Sequence, residues 1–206
     1  MAFSFFKSKK TGGEIAYYGL NNWWNEGLTQ EERNVIRTIY KPIMSNCAID
    51  QGNINHSTQS KLAFFSGLAT WFKKKEYYNI GVKIIVEGEK YINDCKSVLD
   101  KHYFYLSAID LYYSNRNEQI DALDATIKYC KKQIEISKMV KNALLKEYPN
   151  SPLPNHTGYK QLAIIYEKQE KYEEAIIILN KALEEGWNTE DSNKRIQKLK
   201  KKGSIL

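Results

Sequence analysis

Eight residues recur on one spacing at two places in the chain, and that recurrence limits the folds open to it. Tyr159, Leu162, Ala163, Tyr166, Tyr172, Ala175, Leu179 and Ala182 follow one another at gaps of three, one, three, six, three, four and three residues. Phe65, Leu68, Ala69, Phe72, Tyr78, Gly81, Ile85 and Gly88 fall on the same gaps, with large and small side chains in the same order. Gaps of three and four put residues on one face of an α-helix. The gap of six, filled by EKQEKY in the later copy, divides each copy into two helices. Small residues let two antiparallel helices approach closely, and large ones fill the groove between that pair and the next. The spacing therefore predicts stacked helical hairpins.

The rest of the chain agrees with an all-α fold. Four prolines and eleven glycines in 206 residues leave too few turn formers for an all-β fold, and no segment alternates with the two-residue period of a strand. Residues 1–28 carry Phe3, Phe5, Phe6, Tyr17, Tyr18, Trp23 and Trp24 broken by four glycines, which predicts irregular packing onto a helical body. These aromatics either seal the apolar face of the first hairpin or form a ligand platform. At Thr29 the run TQEE pairs a Thr with Glu32 three residues on, a helix start in which each side chain satisfies the other's backbone amide. Val35, Ile36, Ile39, Tyr40 and Ile43 mark one face of that helix, and Pro42 and a polar loop to about Ser60 end it. Two domains follow: an N-terminal segment, helix and loop over 1–60, and a helical body over 61–206. Hairpins are expected at about 61–95 and 157–187. Between them lies an enlarged unit at about 100–148, and a capping helix follows at about 189–202.

With KYEEA after YEKQE at its hinge, the 159–187 unit resembles the tetratricopeptide repeat, and so does 62–92. Tyr159 and Phe65 stand where that family usually has Trp, and Gly88 where it usually has Ala. Tyr159 lies 94 residues after Phe65, leaving about 60 residues beyond one repeat of about 34. That is too many for one ordinary unit, so the middle hairpin is read as enlarged. Phe104, Ala108 and Leu111 belong to its first helix; Ala122 or Ala125, Tyr129 and Ile134 belong to an overlong second helix running to about Tyr148. Its register stays open.

The resemblance implies a short solenoid whose first helices line a concave surface that holds an extended peptide or a helix. Carried onto this chain, that surface takes Ser66, Thr70, Lys73 and Lys74 from the first unit and Lys160, Ile164, Glu167 and Lys168 from the last. From the middle unit it takes His102, Tyr105, Ile109, Tyr112 and Tyr113. Such a groove could hold carboxylates or phosphates on its lysines and an aromatic or apolar group on its tyrosines. Alternatively, the middle tyrosines pack against the long second helix. The paired asparagines of carboxylate-gripping, chaperone-binding members are missing from the matching places.

A net charge of +7 sits largely in FFKSKK near the start and KRIQKLKKK near the end. Charge runs of this kind are solvated tails or contacts to an anionic partner. Cys47, Cys95 and Cys130 are odd in number and form no CxxC or Cys-His spacing, which suggests a reducing compartment. The first residues do not read as a signal peptide, and no run approaches the roughly 18 apolar residues of a membrane span. Cytosol is the expected location. The richness in Lys, Ile, Asn and Tyr hints at a low-GC bacterium or phage. His56, His102 and His156 show no metal-ligand spacing, and no phosphate loop, nucleophile motif or acid-base pair can be picked out. No catalytic residue, metal or cofactor is expected. The leading expectation is a non-enzymatic protein that binds a protein or peptide. Capture of a small anionic metabolite or nucleotide is the alternative, and nucleic-acid contact through the basic C-terminal run is a third.

Overall fold

The structure, a computed structural model, describes residues 11–42, 47–187 and 189–203. Every regular element among them is helical. Phe3, Phe5, Phe6, the FFKSKK run and Ile43 lie outside the described residues. The chain divides into two compact units, Met1–Lys61 and Leu62–Leu206.

The first unit holds α1 (Gly13–Tyr17), a π-helical turn over Trp23–Gly27, and α2 (Gln30–Ile39). The aromatic segment read as irregular thus contains a short helix and a wide turn. Backbone hydrogen bonds lace the start of α1 to the loop beyond α2: Gly12 N–H donates to Asp50 O at 2.8 Å and Gly13 N–H to Gly52 O at 2.9 Å. Ile15, Leu20, Trp24, Leu28, Ile36 and Ile49 are buried.

Thr29 caps α2 as its spacing requires. Its hydroxyl accepts from Glu32 N–H at 3.2 Å, and the Glu32 carboxylate accepts from Thr29 N–H at 2.8 Å. Two amides that the helix cannot satisfy internally are thereby paired. Thr29→Ala is expected to destabilise α2 by about 1 kcal/mol. Faster hydrogen exchange at the first-turn amides of α2 would report it.

The second unit begins with α3 (Lys61–Ala69), which passes through 3₁₀ turns at Thr70–Phe72 and Lys75–Tyr77 into α4 (Tyr78–Glu89). Phe65 of α3 lies against Gly88 of α4, so this small position sits at a close helix approach. Next come α5 (Val98–Ser114) and α6 (Ala122–Glu135), which pack along one another. Tyr112 stacks on Tyr129 at 5.6 Å between ring centroids, and the Gln133 amide donates to His102 O at 3.1 Å. The run expected as one overlong helix is broken at Ile136 (φ −98°, ψ 2°), and α7 (Ser137–Glu147) follows the bend.

After the proline-rich loop, α8 (Thr157–Lys168) and α9 (Tyr172–Glu184) form the last hairpin, and α10 (Thr189–Gly203) packs on α9. Both helices of this hairpin end in the same way. Lys171 N–H reaches back to Tyr166 O and Glu170 N–H to Glu167 O; Trp187 N–H reaches Ala182 O and Gly186 N–H reaches Leu183 O. These paired bonds are Schellman caps, which need a left-handed residue just past the helix. Gly186 (φ 80°) supplies it cheaply, while Glu170 (φ 60°) supplies it against a Cβ penalty of about 1–2 kcal/mol. The second cap also delivers Trp187 into the interior, where it is fully buried. Ile196 and Leu199 of α10 cover Ala163, Ala175 and Leu179 of the hairpin.

Candidate functional site

Side-chain contacts link the first helix of each hairpin to the next. The Ser66 and Ser107 hydroxyls, buried and 3.0 Å apart, tie α3 to α5. His102 of α5 and His156, the residue that caps α8, meet ring to ring with centroids 5.2 Å apart. Glu167 of α8 accepts from Arg195 at 2.6 Å and Lys202 at 2.9 Å on α10, with Lys198 at 3.5 Å. The second helices are linked by Glu89 of α4, which binds Lys132 at 2.6 Å, Lys128 at 3.1 Å and the Tyr129 hydroxyl at 2.9 Å on α6. Burial alone would raise the Glu89 and Glu167 carboxyls, but these cations and hydrogen bonds hold both below the usual carboxylate range.

The expected surface residues divide into two groups. Thr70, Lys74, Lys160 and Lys168 are exposed, and Lys73, Tyr113 and Ile164 are half-buried. Lys73 is also an ion-pair partner of Asp110, at 3.4 Å. Tyr113 lies under the Arg116 guanidinium, 3.8 Å from its ring centroid. Glu167 is half-buried too, and the other five turn inward: Ser66, His102, Tyr105, Ile109 and Tyr112 are only 7%, 5%, 6%, 1% and 5% exposed. This corrects the reading that placed them on an open groove. The rings of Tyr105 and Tyr112 lie 6.3 and 5.6 Å from Tyr129 of α6, and Tyr78 of α4 meets Tyr112 at 6.1 Å. Tyr105 and Tyr112 pack inside the helical layers, as the second reading of the middle tyrosines allowed, and Tyr113 does not.

The outward stripe of α5 is Tyr103, Leu106, Asp110 and Tyr113, at helical gaps of three and four. Tyr103 is 45% exposed. Sequence reasoning missed Tyr103, Leu106 and Asp110. Beside this stripe, Lys73 and Asp110 neutralise one another, so the surface has mixed charge with aromatic and aliphatic groups between.

Two further places bear on chemistry. In the first unit a recess of about 1200 Å³ is lined by Trp24, Arg33, Arg37, Asp50 and Asn53 among others. Its arginines are already engaged. Arg37 grips the Asp50 carboxylate through Nε and Nη2 and lies over Trp24, and Arg33 Nη1 donates to the carbonyls of Trp24, Asn25 and Leu28. In the second unit the buried Glu185 carboxylate accepts from Ser137 and from Tyr159 at 2.8 Å, joining α7, α8 and the end of α9. Ser137 is itself buried, which leaves no room for a substrate at this hydroxyl. Among the described residues no group of three His, Cys, Asp or Glu could hold a metal ion.

No family model, curated protein or solved structure matches the chain. Among the described residues no helix is long and apolar enough to cross a membrane.

Proposed function

We propose that this is a non-enzymatic, cytosolic binding protein. Its hairpins act as a short tetratricopeptide-like solenoid and hold a protein or peptide segment on the surface of α3, α5 and α8. The observation that carries this reading is the outward stripe Tyr103, Leu106 and Tyr113 on a helix in contact with both of its neighbours. An aromatic and aliphatic strip on α5, with exposed Lys74 just past α3 and exposed Lys160 and Lys168 on α8, suits a segment with an apolar anchor and flanking carboxylates. Capture of a small anion is less well supported, because Lys73 is taken by Asp110. Nucleic-acid contact through the last helix loses support because Arg195, Lys198 and Lys202 turn toward Glu167.

Both Tyr103 and Lys160 are exposed, so the double variant Tyr103→Ala, Lys160→Glu tests the surface. Losing an aromatic anchor at an interface centre costs about 2 kcal/mol or more, which is roughly thirtyfold in Kd. The expected outcome is such a loss for a partner isolated with the wild-type chain, with circular dichroism melting unchanged. Wild-type affinity in the double variant would overturn the assignment.

A further inference from the structure

The junction between α5 and α8 is built on two imidazoles. His156 is the N-cap of α8: its Nδ1 accepts the Tyr159 backbone N–H, at 3.5 Å. A ring nitrogen can accept only while it is unprotonated, so the cap requires neutral His156 with its proton on Nε2. The same ring lies 5.2 Å from His102, 4.9 Å from Trp187 and 4.8 Å from Tyr159, and both histidines are buried. Protonation would do three things at once. It would replace the acceptor with a donor facing another donor, and place a cation at the positive end of the helix dipole. It would also set like charges against each other in a desolvated space.

We infer that the His102–His156 contact is an acid-operated joint, in which protonation uncaps α8 and frees the α8–α9 hairpin from α5.

Backbone groups of His156 itself and of Gln133 favour the protonated His156 ring, but burial and the nearby His102 outweigh them. Tyr103 meets His102 from α5, 5.3 Å away. From α6 come Gln133, a neutral amide, and Cys130, whose thiol burial pushes up to about 12. Tyr159 of α8 is a phenol that burial keeps protonated. At the end of α9 stand Trp187 and Glu185; the Glu185 carboxylate is bound by Ser137 and Tyr159, and Lys141 of α7 donates to its carbonyl. Burial holds His102 down at about 4; burial, with the nearby His102, holds His156 down at about 3. Both lie below the ordinary 6.5 of an opened, solvated imidazole. The closed joint therefore has its full advantage above pH 6.5 and loses it as pH falls from 6.5 toward 4, by up to about tenfold per pH unit for each ring.

Hydrogen exchange on the full chain, corrected for the intrinsic pH dependence, tests this. Protection of the Tyr159 and Lys160 amides is expected to drop at least tenfold per pH unit between pH 6 and 4.5, while the Tyr112 and Tyr129 amides of α5 and α6 hold theirs. In the variant His102→Gln, His156→Asn, where asparagine can still cap, protection should stay flat. An equal drop in that variant, a flat profile in the wild type, or a simultaneous drop across α5 and α6 would each overturn the joint. Should the variant not fold, NMR titration of the wild-type imidazoles decides instead: titration of either ring near 6.5 in the closed state refutes the proposal.

Discussion

Replacing Trp187 with alanine is expected to lower the stability of the helical body by about 3–5 kcal/mol. The indole is fully buried, and it packs edge-on against His156 from the end of the cap that closes α9. Removing it opens a cavity where the α8–α9 hairpin meets the His102–His156 junction. The same side chain permits an internal control. Its Nε1 is buried without a hydrogen-bond partner among the described residues, so Trp187→Phe sacrifices volume but no hydrogen bond. Phenylalanine should recover more than half of the loss. Urea unfolding followed by the helical circular dichroism signal measures both variants, and equal losses for Ala and Phe would contradict the packing account.

Gly88→Leu is the second large effect. A Cβ on Gly88 would stand 2.5 Å from Cε2 of Phe104 and 2.9 Å from Cβ of Phe65, and both rings are fully buried. Overpacking of this kind typically costs about 1–3 kcal/mol, occasionally more. Alanine has a smaller volume and a helix propensity advantage of up to about 1 kcal/mol over glycine, so Gly88→Ala should cost less than leucine. Phe104→Ala alone removes a core ring at about 3–5 kcal/mol. Combining it with Gly88→Leu gives the new side chain somewhere to go. The double variant should therefore lose clearly less than the sum of the singles, because the two sites share one space. Strict additivity would show that Gly88 and Phe104 do not compete for volume.

The glycine effect falls on a position whose size was readable before any coordinates. Phe65, Gly81, Gly88, Tyr159, Ala163, Ala175 and Ala182 are all buried at helix contacts, and the spacing that picked them out reports how near two helices can come. The helical class was legible for the same reason, and the Thr29 cap because two short side chains at fixed separation suffice to build it. What could not be read was the facing of α5. From His102 to Tyr113 that helix is apolar or aromatic on nearly every side, because α3, α6, α7 and α8 touch it in turn. A helix covered on most sides has no amphipathic stripe from which to read its rotation. His102, Tyr105 and Tyr112 were consequently assigned to the outside, while Tyr103, Leu106 and Asp110 occupy it. The bend at Ile136 was equally hidden: no proline or glycine marks it, and the apolar spacing runs through the break. The buried carboxylate of Glu185 depends on Ser137 and Tyr159, residues that only the folded chain brings together.

The grip of Glu167 on Arg195, Lys198 and Lys202 has a colloidal side. The helix those cations hold in place covers Ala163, Ala175 and Leu179, with Tyr166, Tyr172 and Ile176 beside them. Partly exposed ion pairs weaken as salt rises, because the screening length shrinks from about 10 Å at 0.1 M to about 3 Å at 1 M. Whatever loosens α10 thus bares an aromatic and aliphatic surface at the end of the last hairpin, a face suited to sticking to its own kind. Glu167→Gln should leave a protein that folds yet self-associates sooner on warming, so that one carboxylate sets how concentrated a solution of this chain can become.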